Sequence, residues 1–312
     1  MGSLKVDNPG VAILEKTIKS CISDAIDSLG IMYKIFVRAK SSDSIEGKIK
    51  KKEKEGVPYT PDGKKMQDFI GVRVVTYFYE DEELLRVFFQ ERFPDYKFES
   101  QETRETIFEP QRRNLVCQLS RISEEAVQTF EELKPTLNHS ELMDSTFELQ
   151  LRTVFSEGWH EIDHALKYKC KEEWDGLFEE SRMFCGLLAT LETADRSLKK
   201  IFDDLAYKHY KQKNWQAMLR TKYRLHFENR NLRDEIADIF NQNNDVAKRL
   251  FKADRKQIFL KIISSGYKMK PSFDHLVYVV NYLIEDSSQE INKLVPGYIM
   301  IDLKNKFPKN DV

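Results

Sequence analysis

Residues 11–30, VAILEKTIKSCISDAIDSLG, set Ile13, Leu14, Ile18, Ile22, Ile26 and Leu29 at helical spacing and end on Gly30, so the pattern predicts a helix closed by glycine. MYKIFVRAK, 32–40, reads as a strand. SSDSIEGKIKKKEKEG, 41–56, offers Ser and Asp as N-caps and continues as a strongly basic helix, ahead of the Pro/Gly/Asp loop VPYTPDGKK. DFIGVRVVTYF, 68–78, has the β-branched and aromatic density of a buried strand, and an acidic helix follows over 80–92. Residues 114–122 and 145–154 are the next strands, the second alternating cleanly. From about 155 onward helical periodicity dominates, with periodic runs at 244–265 and 273–286 separated by Gly and Pro signals. The expectation is an α+β fold: an α/β mixed sheet in a catalytic domain over residues 1–180, then an all-helical region over 181–312.

Composition narrows the class without choosing a function. The 312 residues suffice for two domains with a sizeable core. Fifty basic and 51 acidic residues leave a formal net charge of -1, so no global field draws the chain to nucleic acid or membrane. An anionic partner must be held by a local patch. The cysteines, Cys21, Cys117, Cys170 and Cys185, lack paired spacing and read as reduced thiols. With no apolar run near about 18 residues and no leader-like start, the expectation is a cytoplasmic protein with no membrane partner.

His160, Glu161 and His164 spell H-E-x-x-H, the spacing at which two histidines bind zinc and a glutamate serves as general base. Asp163, however, stands where such a helix carries an apolar residue, and His209, His226 and His275 sit at no ligand spacing. A zinc peptidase is the remote alternative. Two histidines packed on one helix face are the plainer account.

A different set of charges explains more of the chain. Arg38, Lys40, Ser44, Ile45 and Lys48 form R-x-K-x-x-x-S-I-x-x-K, which brings cations together near a helix N-terminus, a cradle for a triphosphate. Lysines on a surface helix are, on their own, usually just solvated. Asp68 opens the strand that carries Arg73, and a carboxylate at a strand edge is a common magnesium ligand, a turn aspartate being the ordinary alternative. In FELQLRT, Glu148, Gln150 and Arg152 point to one face of an otherwise apolar strand, where burial without a task is costly. Acidic strands flanked by basic residues describe a metal-dependent nucleotidyl or phosphoryl transfer site.

Taken in order, R-x-K-x-x-x-S-I-x-x-K, D-x-x-G-x-R-V, E-x-Q-x-R-T and W-x-x-x-x-H-x-x-x-Y-K resemble the synthetase domain of the RelA/SpoT family, which makes (p)ppGpp alarmones, over residues 35–169. The resemblance implies a nucleotidyltransferase-like mixed sheet that moves the β,γ-pyrophosphate of ATP to a ribose 3′-hydroxyl with Mg2+ as cofactor. It implies that Arg38 and Arg73 stack on adenine, and that Lys40 and Lys48, with Ser44 beside them, hold the phosphates. Asp68 and Glu148 become the metal carboxylates, Glu148 also helping to deprotonate the acceptor. Trp159, His164, Lys167, Tyr168 and Lys169 match the closing motif, which makes the zinc spelling coincidental.

One departure concerns the acceptor. Family members that take GDP or GTP carry a P-K-x-N-G-Y loop whose tyrosine stacks on guanine, but here FEPQRRNLVCQL keeps Pro110 and Asn114 and puts Leu115 and Val116 in place of Gly and Tyr. Arg112 and Arg113, or Phe108, are the candidate substitutes, and Asn114, Gln150, Arg152 and His164 complete the expected acceptor side. Two acceptors follow: a guanine nucleotide, in a small alarmone synthetase taking part in the stringent response, or the 3′ end of tRNA, as in the toxic branch found in toxin–antitoxin and phage-defence modules. The run Lys48, Lys50, Lys51, Lys52 and Lys54 suits an RNA backbone, with a solvated helix face the commoner reading. The helical region has no H-D pair for hydrolysis, so synthesis alone is expected, and its Tyr207–Tyr210 stretch is a candidate surface for an antitoxin, a regulatory protein or a second copy.

Overall fold

Strict alternation along the strands gives the sheet one apolar and one polar face. Five strands, β1 (Tyr33–Ala39), β2 (Ile70–Thr76), β3 (Lys97–Glu99), β4 (Asn114–Gln118) and β5 (Thr146–Thr153), lie in the order β1-β2-β5-β4-β3. β2 and β5 are parallel and the other neighbours antiparallel, the mixed sheet expected. The computed structural model describes residues 8–93, 97–99, 114–227 and 231–308. Register aligns Val37, Val72, Leu149 and Leu115 across one face, with Val74, Leu151, Cys117 and Phe147 beside them. Apart from Val37 these are buried, and burial pushes the Cys117 thiol up to about 12, so it is an inert packing group. Phe93 meets Phe147 edge-on at 6.0 Å, and Phe130, from helix α4 (Glu124–Leu133), packs against Phe69 at 6.1 Å.

The helices around the sheet follow their local chemistry. α1 (Pro9–Asp27) buries Leu14, Ile18 and Ile22, one face at four-residue spacing, and Gly30 takes the left-handed φ of 69° three residues beyond its end. α2 (Ser42–Lys54) is capped by Ser41 Oγ, which accepts from the Ser44 N–H, and gathers Lys51, Lys52 and Lys54 in its last turn, where the helix dipole favours cations. After α3 (Tyr79–Arg92) and β5, α5 (Val154–Ile162) starts with a Thr153/Ser156 capping box. It passes directly into a π-helical segment, Asp163–Tyr168, and the long α6 (Phe178–Lys211) comes next.

The region beyond is helical, as expected: α7 (Trp215–Tyr223), α8 (Asp234–Gln242), α9 (Asn244–Lys252), α10 (Arg255–Ser265), α11 (Phe273–Leu283), α12 (Gln289–Leu294) and α13 (Gly297–Lys306). Contacts divide the chain into a unit of Met1–Ala25, Tyr33–Thr76 and Phe89–Thr190 and a unit of Ile26–Met32, Tyr77–Phe88 and Leu191–Val312. In the second unit Asp81, fully buried, pairs with Arg255 at 2.5 Å, while Glu80 pairs with Arg224 at 2.5 Å. No helix among the described residues is long and apolar enough to cross a membrane.

Three details differ from the sequence reading. The strand expected over 114–122 stops at Gln118, because Leu119–Arg121 turns into a 3-10 segment. The run 244–265 is two helices, broken at Ala253 and restarted by the Asp254 side chain capping Gln257. Asp68 precedes β2 by two residues and does not belong to the strand.

Candidate active site

The polar face of the sheet is assembled by register. Gly71 lies opposite Arg38 on one side and Glu148 on the other, Arg73 lies between Phe36 and Gln150, and Asn114 sits opposite Gln150. Facing residues in adjacent strands share a side of the sheet. Arg38, Arg73, Glu148, Gln150 and Asn114 therefore occupy one surface, with Gly71 leaving a bare patch in its middle.

At the edge of this surface lies a cationic corner. The Lys40 N–H donates to the Phe69 carbonyl at 2.9 Å, which fixes the end of β1 beside Asp68. Lys40 Nζ is 3.2 Å from Asp68 Oδ2, and Lys48 Nζ, from α2, donates to the same oxygen. Burial alone would raise the Asp68 carboxyl, but the charges of Lys40 and Lys48 outweigh it and hold the group below its ordinary value. For Lys48, burial pulls downward and is outweighed by Asp68, with a smaller contribution from Glu148, so the ammonium is raised. Lys48 thus lies within electrostatic reach of both carboxylates.

A second, continuous hydrogen-bonded line crosses the strands. Asn114 Nδ2 donates to Glu148 Oε1 at 2.5 Å and Gln150 Nε2 donates to Glu148 Oε2 at 3.2 Å. Arg73 Nε donates to Gln150 Oε1, also at 3.2 Å, and this orients the glutamine amide so that its NH2 faces Glu148. Arg73 Nη1 donates to Glu157 Oε1 at 2.6 Å and to Glu161. Burial opposes charge on Arg73, but these two carboxylates win and its pKa is raised. Glu157 and Glu161 did not emerge from sequence as partners of Arg73; their only signal is four-residue spacing on the helix after β5. Phe36 was also missed: it is 54% exposed on the polar face, opposite Arg73.

The remaining expected residues distribute as follows. Arg38 is exposed on the edge strand β1. Ser44 lies 2.9 Å from Ser41 Oγ at the α2 cap, so its hydroxyl is engaged locally. Arg152 is buried, with Nη1 on the Leu151 carbonyl at 3.0 Å. His164 stacks on Tyr168, ring centroids 5.8 Å apart, and burial, reinforced by Lys169, lowers its pKa. Phe108, Pro110, Arg112 and Arg113 lie outside the described residues. Leu115 and Val116 are buried in β4, so neither presents a platform to a base.

A metal can be tested against this geometry. Asp68 Oδ1 is buried and has no hydrogen-bond partner, and an acceptor left so is suited to a cation. Magnesium needs only one or two protein carboxylates when phosphates supply further oxygens, which fits Asp68 and Glu148. The H-E-x-x-H reading does not fit: Glu161 is engaged with Arg73, His160 sets its ring edge-on to Trp159, and among the described residues no group of three or more His, Cys, Asp and Glu is placed to hold a metal.

Residues 37–173, a little under half the chain, match the family model described as the region found in RelA / SpoT proteins. This stretch is a RelA/SpoT domain. It contains every element of the polar face and its cationic corner. Solved structures similar to the chain include a GTP pyrophosphokinase family protein from Streptococcus pneumoniae, 17% identical with a TM-score of 0.40, covering 62% of this chain and 88% of that one. Small alarmone synthetase 1 from Bacillus subtilis is 19% identical with a TM-score of 0.39, over 61% of this chain and 89% of that one. The same synthetase bound to its product pppGpp is 17% identical with a TM-score of 0.39, over 61% and 90%. No curated protein matches.

Proposed function

We propose that the RelA/SpoT domain is a Mg2+-dependent pyrophosphotransferase that moves the β,γ-pyrophosphate of ATP to the 3′-hydroxyl of a guanine nucleotide, GDP or GTP. The observation that carries this reading is the pairing of Lys40 and Lys48 on Asp68, within electrostatic reach of Glu148. Two ammoniums poised on one carboxylate can transfer to phosphate oxygens when a triphosphate enters, which frees Asp68 for a cation. Magnesium, when bound, would neutralise charge on the phosphates as the β-phosphorus is attacked. Asp68 and Glu148 would hold it. Arg38 and Arg73 would bracket the adenine; Gln150, Glu157 and Glu161 grip Arg73 by its nitrogens and leave its π faces available for stacking.

In the reaction the acceptor 3′-oxygen bonds to the β-phosphorus, the bond from that phosphorus to the oxygen bridging the α-phosphate breaks, and AMP leaves. The proton from the 3′-hydroxyl goes to Glu148, whose two oxygens are held by Asn114 and Gln150 in a fixed orientation. Asn114 Oδ1, buried and without a donor, is a natural acceptor for a hydroxyl on that side.

A second reading, transfer to the 3′ end of tRNA in a toxic enzyme, is favoured by Leu115 and Val116, both buried where a guanine-stacking tyrosine would be expected. Incubation with γ-labelled ATP and, separately, GDP, GTP, other nucleotides and bulk tRNA tests both. Label on GDP or GTP supports the first reading and label on tRNA the second. No labelled acceptor, or transfer that survives Mg2+ removal, defeats the proposal.

A further inference from the structure

From Leu205 to Phe227 the chain carries Lys208, Lys211, Lys213, Arg220, Lys222 and Arg224 and no aspartate or glutamate, in a protein whose charges otherwise balance. The stretch spans the end of α6 and all of α7, inside the helical unit and outside the RelA/SpoT domain. Tyr207 and Tyr210, three residues apart on α6, both face Phe251 of α9, with ring centroids at 6.1 and 5.2 Å. Tyr207 keeps 49% of its surface exposed, although packing alone would favour covering it. Lys211 Nζ lies 5.5 Å from the Tyr207 ring and Lys222 Nζ 5.6 Å from the Phe251 ring.

The cations here differ in how far they are already occupied. Arg224 is buried and committed to Glu80 and Asp203. Burial depresses Lys222, Asp203 pulling the other way and Arg224 and Lys199 adding to the depression. By contrast Lys208, Lys211 and Lys213 are exposed, and none of them forms an ion pair among the described residues. Exposed ring faces interleaved with unpaired ammoniums are what a flexible polyanion with stackable bases requires. A duplex hides its bases from such a surface, and an acidic protein would use the lysines but not the rings.

We propose that this corner of the helical unit binds single-stranded nucleic acid, with a base stacked on Tyr207 and phosphates on Lys208, Lys211 and Lys213. It is a surface separate from the transfer reaction and independent of which acceptor that reaction uses.

The test is fluorescence anisotropy of labelled oligo(U) and oligo(dT), about 12 nucleotides each, with the full-length protein and no ATP or magnesium. Binding should weaken with salt along a log–log slope of about -2, three phosphates at about -0.7 each. Tyr207→Ala should weaken binding about fivefold or more, the lower end of what loss of one stacked base removes. A triple Lys208→Gln, Lys211→Gln, Lys213→Gln variant should lose at least about tenfold and flatten the slope. Lys48→Met should bind as wild type does. Preference for one oligonucleotide over the other identifies RNA or DNA as the source. The proposal is overturned if neither oligonucleotide binds, if both surface variants bind like wild type, or if Lys48→Met abolishes binding, which would put the strand in the transfer site. Should Tyr207→Ala melt early, the triple variant, altered only at exposed positions, carries the test alone.

Discussion

Gly71 allows stability and activity to be pushed in opposite directions. A Cβ built there would meet only the Arg38 carbonyl oxygen, at 3.7 Å, an ordinary contact, and the backbone needs no positive φ. Glycine inside a strand is less stable than alanine by about 0.5–1 kcal/mol, so Gly71→Ala should raise stability by that amount. For a chain of this size that corresponds to about 1–3 °C in Tm. Yet the new side chain would rise from the bare patch between Arg38 and Glu148, where the nucleotide is proposed to lie. Gly71→Ala should therefore lose affinity for a non-hydrolysable ATP analogue several-fold, and the bulkier Gly71→Val at least about tenfold, about 1.4 kcal/mol. Thermal melting and titration calorimetry on the same samples read both quantities. Unchanged nucleotide affinity in Gly71→Val, with the fold intact, would refute the idea that this face holds the nucleotide. A large fall in Tm for Gly71→Ala would refute the claim that the site is sterically open.

Four further outcomes follow from named contacts. Asp68→Asn should abolish magnesium-dependent transfer and destabilise by only about 1–2 kcal/mol, since both lysines keep partial access to water; activity assays and melts check it. Glu161→Gln should change stability by less than about 1 kcal/mol, its pair with Arg73 being largely exposed, while raising KM for ATP more than it lowers kcat. Arg255→Ala, which strands the buried Asp81 carboxylate, should cost about 3–5 kcal/mol by denaturant unfolding, whereas Lys256→Ala, removing an exposed partner of Glu83, should be near neutral. Burial lowers the His275 pKa to about 4, so the native ring resists a proton that the unfolded chain accepts below about 6.5. Stability should fall as pH drops through that window, by at most about 3 kcal/mol, and level off below it; His275→Gln should flatten the profile in pH-dependent melts.

The sheet was legible because period-two alternation is a local signal. FELQLRT displays Glu148, Gln150 and Arg152 on one face whatever its neighbours are, and the β-branched run before Tyr77 needs no tertiary information to read as a strand. What lay beyond reach was pairing across distance. Arg73 meets Glu157 and Glu161 only because β5 runs parallel to β2 and hands the chain to α5 beside it, and spacing within either segment contains nothing of that. Ser44 illustrates the opposite failure: it carries a motif position, but Ser41 beside it engages its hydroxyl at the helix cap. The break at Ala253 was hidden because apolar periodicity runs on through it, and only the cap on Asp254 marks the restart. Three-residue β3 is too short for any periodicity.

The π-helical segment Asp163–Tyr168 acts as a one-residue spacer in an otherwise regular helix. An α-helix advances about 100° per residue, so removing any one residue from the segment would relax it to α geometry and swing all that follows by about that angle. Tyr168, whose hydroxyl now accepts from Lys51 Nζ at 3.2 Å, would turn away from α2, while Trp159, upstream and stacked 4.7 Å from Phe184, would be pulled at from its far side. Chain length across these six residues is thus fixed by phase, and substitutions there should be borne far better than a single deletion.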